Sequence, residues 1–95
     1  VKEIKGDVFL RIKKGYIPSW LKNIKIYGEF DCSLNNLKTL ENCPQYVGGS
    51  FWCTENELTS LEGCPKYVGG SFLCYENMKI LELPEGVEVN GKFKN

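Results

Sequence analysis

The chain predicts a mainly β fold, a short right-handed solenoid of about five stacked coils with a parallel β-sheet and very little helix. Three observations lead there. Residues 37–57 (LKTLENCPQYVGGSFWCTENE) and 58–78 (LTSLEGCPKYVGGSFLCYENM) are identical at 14 of 21 positions, a period that marks a repeat whose units bury their apolar sides against one another. The apolar residue ahead of each glycine, Ile4, Ile26, Val47, Val68 and Val89, recurs at spacings of 22, 21, 21 and 21. No stretch of useful length carries a helical period, whereas Phe51-Trp52-Cys53-Thr54 alternates as a short strand with one buried face does.

Taken in order, residues 1–25 form an N-terminal capping coil, with Arg11, Lys13 and Lys14 where later coils have their loop. Ile17, Pro18, Trp20 and Leu21 follow, placed to cover the open end or to continue the stack. Residues 26–78 are the core repeats. In each, a strand beginning at Phe30, Phe51 or Phe72 points Phe and Cys inward. Leucines follow, then a turn at Gly63-Cys64-Pro65 or its equivalent, then a second apolar pair such as Tyr67-Val68. The Gly48-Gly49 and Gly69-Gly70 pairs are expected where the backbone bends tightly or takes a positive φ into the next strand. Tyr46 and Tyr67 form a stacked column expected on the opposite face, hydroxyls at the surface. Residues 79–95 are a C-terminal capping coil, with Leu-Pro-Glu-Gly in place of Gly-Cys-Pro and lysines flanking the edge strand. The repeat fills the chain, so one domain is expected.

Composition narrows the functions. Twelve basic residues balance twelve acidic ones, which disfavours nucleic acid or an anionic membrane as the partner. No apolar run approaches the ~20 residues of a membrane helix, and the first residues lack a signal-peptide core. Cys32, Cys53 and Cys74 are 21 apart, as are Cys43 and Cys64, so each set occupies one repeat position as core residues do. With no CxxC pair and no histidine, they read as reduced, buried thiols of a cytoplasmic protein rather than as a zinc site or disulfide scaffold.

No enzyme is expected, because the usual base for a Ser or Cys nucleophile is absent. Glu55 with Glu76, and Glu41 with Glu62, stack as neighbours but read as solvated charge. Gly48-Gly49-Ser50 lacks the lysine and the following helix of a phosphate loop. No cofactor or metal is expected.

The segment Phe51-Trp52-Cys53-Thr54-Glu55-Asn56-Glu57-Leu58 matches L-x-L-x-x-N-x-L with Phe and Cys in two leucine places, as does FDCSLNNL at residues 30–37. FLCYEN at 72–77 matches up to the final leucine, where Met78 or Ile80 must substitute. The chain thus resembles leucine-rich repeats. Over residues 26–89 it is most similar to the degenerate 21-residue units in proteins of large bacteriophages and giant viruses, and more distantly to the LTSLP-type repeats of bacterial effectors. The resemblance implies an asparagine column, Asn35, Asn56 and Asn77, bonded to backbone inside the turn. It implies a binding scaffold in a viral setting, and no enzyme activity carries over from the effectors, whose catalytic domain is missing here.

The outward strand positions locate the expected site. One column reads Phe9, Asp31, Trp52, Leu73, Lys94, and the next reads Ser33, Thr54, Tyr75. Trp52, Leu73 and Tyr75 are expected together in solvent, with Phe9 and Leu34 at the margins and Asp31, Glu55 and Glu76 around them, the composition of a protein-binding surface. The expected partner is another protein, on the viral resemblance a host enzyme or defence factor in the cytoplasm that is occluded or inhibited. Two alternatives stand: self-assembly as a homodimer through the same face, and binding of single-stranded nucleic acid by the aromatics and lysines.

Overall fold

The structure is a computed structural model and describes residues 2–95. Each turn of the chain contributes one strand to each of two parallel sheets of five strands. The first sheet contains β1 (Lys2–Ile4), β3 (Ile24–Ile26), β5 (Tyr46–Val47), β7 (Tyr67–Val68) and β9 (Glu88–Val89), stacked in that order. The second contains β2 (Val8–Phe9), β4 (Phe30–Asp31), β6 (Phe51–Trp52), β8 (Phe72–Leu73) and β10 (Phe93–Lys94), likewise in chain order. This is the right-handed parallel solenoid that the 21-residue period predicts. Among the described residues helix is confined to one 3₁₀ stretch, Ser19–Asn23.

A second sheet is the principal addition to the expected single one. Tyr46-Val47 and its equivalents extend and pair in register, Tyr46 with Tyr67 and Val47 with Val68, with the valines buried and the tyrosines half-buried. The tyrosines therefore line the outer side of the adjoining sheet, joined to the second sheet by only three residues, Gly48 to Ser50, rather than an opposite face. The glycines of this corner are needed for close approach. None of Gly48, Gly49, Gly69 and Gly70 is among the glycines with positive φ. A Cβ on Gly69 would lie 2.2 Å from the carbonyl oxygen of Gly48, and one on Gly48 would lie 2.5 Å from that of Tyr27. Backbone cannot retreat as a flexible side chain can, so Gly69→Ala is expected to cost about 3 kcal/mol, the upper end of overpacking penalties. Thermal unfolding beside wild type measures it, and an unchanged midpoint would show that the corner has room.

Inside, the in-register columns form the core. Phe30, Phe51 and Phe72 are fully buried, with ring centroids 6.1 Å apart between the first two and 4.9 Å between the second two. Ile26, Val47 and Val68 back them from the first sheet, and the leucines and all five cysteines fill the space between. At the N-terminal end Ile17 and Leu21 continue this stack, while Trp20 turns outward and is 64% exposed.

The asparagine column is realised as a ladder. Asn56 Oδ1 accepts the backbone N–H groups of Asn35 and Leu37, each at 3.0 Å, while its Nδ2 donates to the carbonyls of Cys32, Cys53 and Thr54. Asn35 does the same one coil earlier, accepting from Ile12 and Lys13 and donating to Leu10, Cys32 and Ser33. Asn77 accepts from Leu58 and donates to Cys53, Cys74 and Tyr75. Two inner carbonyls are shared: Cys32 serves Asn35 and Asn56, and Cys53 serves Asn56 and Asn77.

In the following coil the pattern shifts. Neither Met78 nor Ile80 fills the leucine place, since they are 65% and 83% exposed. Leu81 is buried instead, and the side-chain amide of Asn95 holds it, accepting from its N–H at 2.9 Å and donating to its carbonyl at 2.8 Å. Lys79 stands where the repeat has Leu58, so the buried leucine is displaced to Leu81, while the strands on either side keep the 21-residue register, Phe72 with Phe93 and Val68 with Val89.

Candidate functional site

The outer side of the second sheet carries the expected row. Phe9 pairs with Asp31, Asp31 with Trp52, Trp52 with Leu73 and Leu73 with Lys94, so these five side chains follow one another directly up the stack. Alternation sets their direction, because Val8 and the phenylalanines beside them point into the core. The row is less open than expected. Phe9 is 61% exposed, but Trp52 and Leu73 are half-buried, and the indole Nε1 of Trp52 donates to Glu29 Oε1 at 3.1 Å. The tryptophan lies pinned along the sheet instead of standing free in solvent.

Asp31 is likewise occupied. Arg11 Nη2 donates to Asp31 Oδ2 at 3.0 Å, and the Ser33 N–H donates to Oδ1 at 2.9 Å. Burial opposes the charged form of Asp31, yet these bonds outweigh it and hold the carboxyl below its ordinary range.

The second column departs from expectation at its first member. Ser33 is buried, because Thr54 lies over it, and both the N–H and the hydroxyl of Thr54 reach Ser33 Oγ at 3.0 Å. Tyr75 alone in this column is exposed, at 38%. Beyond it the chain turns through Leu34, Glu55 and Glu76, all exposed, with φ of 62°, 52° and 55°. This left-handed conformation costs an L-residue roughly 1 kcal/mol, and it recurs at Lys13, so the coil imposes it. It swings the next residue, the ladder asparagine, inward. The structure thus brings Asp31, Trp52, Leu73 and Tyr75 together on one side, with Leu34, Glu55 and Glu76 along one margin and Phe9 at one end.

Several exposed groups were not part of the expected site. Met78 and Ile80 protrude beyond Tyr75; the signal for them is Lys79 in a leucine place, which displaces the apolar positions there. Tyr16 and Trp20 are 54% and 64% exposed on the N-terminal coil. On the first sheet, the rings of Tyr46 and Tyr67 stack at 4.8 Å with Lys25 Nζ 4.3 Å over Tyr46, so Tyr46 is engaged by both a ring and an ammonium and Tyr67 by one ring.

The thiols are enclosed. Burial pushes Cys32, Cys43 and Cys53 upward and Cys64 up to about 12, which suppresses the thiolate of these four that nucleophilic or metal chemistry needs, whereas the hydrogen bond with Cys53 holds Cys74 below the ordinary thiol value. Among the described residues no group of three or more His, Cys, Asp and Glu is placed to hold a metal ion, and no helix is long and apolar enough to cross a membrane. Comparison of the chain with protein-family models, with curated proteins and with solved structures finds no match.

Proposed function

We propose that this chain is a non-enzymatic protein-binding repeat module whose contact surface is the outer side of the second sheet. The observation that supports this most is the row Phe9, Asp31, Trp52, Leu73 in direct register, with its tryptophan already held by Glu29. An aromatic anchor fixed before binding loses little side-chain freedom on contact, and tryptophan is among the residues that dominate interface energies. Tyr75 and Leu34 extend the apolar area, and Glu55 and Glu76 supply the polar rim that such surfaces carry. Leu34 adds weight, since an exposed leucine in a left-handed turn brings the fold neither burial nor conformational ease.

The resemblance to repeat units of large bacteriophages and giant viruses makes the proposed partner a host cytoplasmic protein, an enzyme or a defence factor, that the bound module occludes. The test is parallel capture from host-cell lysate by wild type and by a Trp52→Ala, Tyr75→Ala variant whose fold is checked by circular dichroism. A partner held by wild type and lost by the variant is the expected result. Equal capture by both would move the site off this sheet. Should the chain itself be the partner, its mass in solution would rise with concentration and the variant would abolish the rise.

A further inference from the structure

The neutral sum of charges hides a strong segregation. Residues 1–25 hold seven basic and two acidic side chains, residues 26–78 two and seven, and residues 79–95 three of each. In a solenoid, sequence position is position along the axis, so the positive charge gathers on the first coil.

Much of that coil's charge is committed elsewhere. Both of its acids are engaged: Glu3 accepts from Lys5 and from the Tyr27 hydroxyl, and Asp7 accepts the N–H of Glu29 at 2.8 Å. Arg11 pairs with Asp31, and Lys25 lies over tyrosine rings. Lys2, Lys13, Lys14 and Lys22 remain, all exposed and, among the described residues, with no carboxylate within ion-pair distance. Interleaved with them are Phe9, Ile12, Tyr16 and Trp20, exposed by 61%, 37%, 54% and 64%. Lysines alternating with open rings are the composition of a surface that tracks a single strand, where ammonium groups meet phosphates and rings meet bases.

The placement selects this polyanion over others. Phe9 belongs to the outer side of the second sheet, whereas Trp20 borders Lys2 and Ile24 at the first sheet. The rings therefore lie around the coil rather than on one plane. A flat anionic membrane or the surface of a folded acidic protein would reach one side and leave the rest unused, while a flexible strand follows the curve.

We infer that the perimeter of the first coil is a track for single-stranded nucleic acid, with Lys13, Lys14 and Lys22 on phosphates and Tyr16 and Trp20 stacking on bases. It meets the strand face proposed for a protein partner only at Phe9, and either surface can fail alone.

The test is fluorescence anisotropy of a labelled oligothymidylate titrated with the full chain across a range of salt concentrations. Three phosphate contacts give an expected slope of about −2 in log affinity against log salt, from roughly −0.7 per contact on a single strand. Lys13→Gln, Lys14→Gln and Lys22→Gln together should weaken binding at least about tenfold and flatten that slope. Trp20→Ala should weaken it about fivefold or more and leave the slope unchanged, because stacking releases no counterions. The Trp52→Ala, Tyr75→Ala variant should bind the oligonucleotide as wild type does. No binding at low salt would overturn the inference, as would indifference to Trp20→Ala. Capture of the chain by phosphatidylserine vesicles without oligonucleotide binding would assign the coil to a membrane instead.

Discussion

Replacing Asn56 by Leu is expected to cost about 4 kcal/mol, most of what holds a domain of this size together. The side chain completes the hydrogen bonding of two neighbouring turns. Its removal leaves the N–H groups of Asn35 and Leu37 buried without their acceptor, and each such loss costs about 1 to 3 kcal/mol. The carbonyls suffer less, since Cys32 keeps Asn35 as a donor and Cys53 keeps Asn77. Leucine is close in volume, so the effect reports hydrogen bonding rather than a cavity. Asn77→Leu provides the contrast: Asn77 is only half-buried and accepts from a single N–H, that of Leu58, so about half the loss is expected. Urea unfolding of the two variants measures both values. An Asn56→Leu protein within about 1 kcal/mol of wild type would show that water replaces the ladder bonds.

Phe51→Ala should be comparably severe, at about 4 kcal/mol. Phe51 has no solvent exposure and is clasped between Phe30 and Phe72, so its ring leaves a cavity that neighbours on two stacked strands cannot close without breaking register. Phe93→Ala, in the same column but half-buried and against one ring of the column, Phe72, instead of two, should cost roughly half as much. Equal losses at the two sites would mean that the column does not act as a continuous core.

The register of the solenoid is legible in the sequence, because a repeat of fixed length converts identity of residue into identity of place. The columns Ile4 to Val89 and Val8 to Phe93 are paired as their spacing requires. The second sheet was not, since strands of two residues such as Tyr46–Val47 carry too little alternation to be told from a turn. The side of the sheet on which Trp52 lies followed from alternation. Its tether did not, because Glu29 is 23 residues away and no local pattern links them. Ser33 escaped for a similar reason: alternation turned it outward, and only the stacked Thr54 shows that it is covered. Leu81 does not follow from the count, because Lys79 occupies the leucine place and the buried position moves two residues on. The basic first coil was present in the sequence but cancelled in the total.

The shared carbonyls of Cys32 and Cys53 bear on how such a chain grows. The junctions of the ladder, at Asn35, Asn56 and Asn77, exchange donors and acceptors between neighbouring units, and each of these units carries both. A tandem duplication of one unit would therefore copy a complete joint, adding length without inventing a new fit. The identity of residues 37–57 and 58–78 at 14 of 21 positions is what a duplication of that kind leaves behind, and such a joint lets the number of coils change without a new fit.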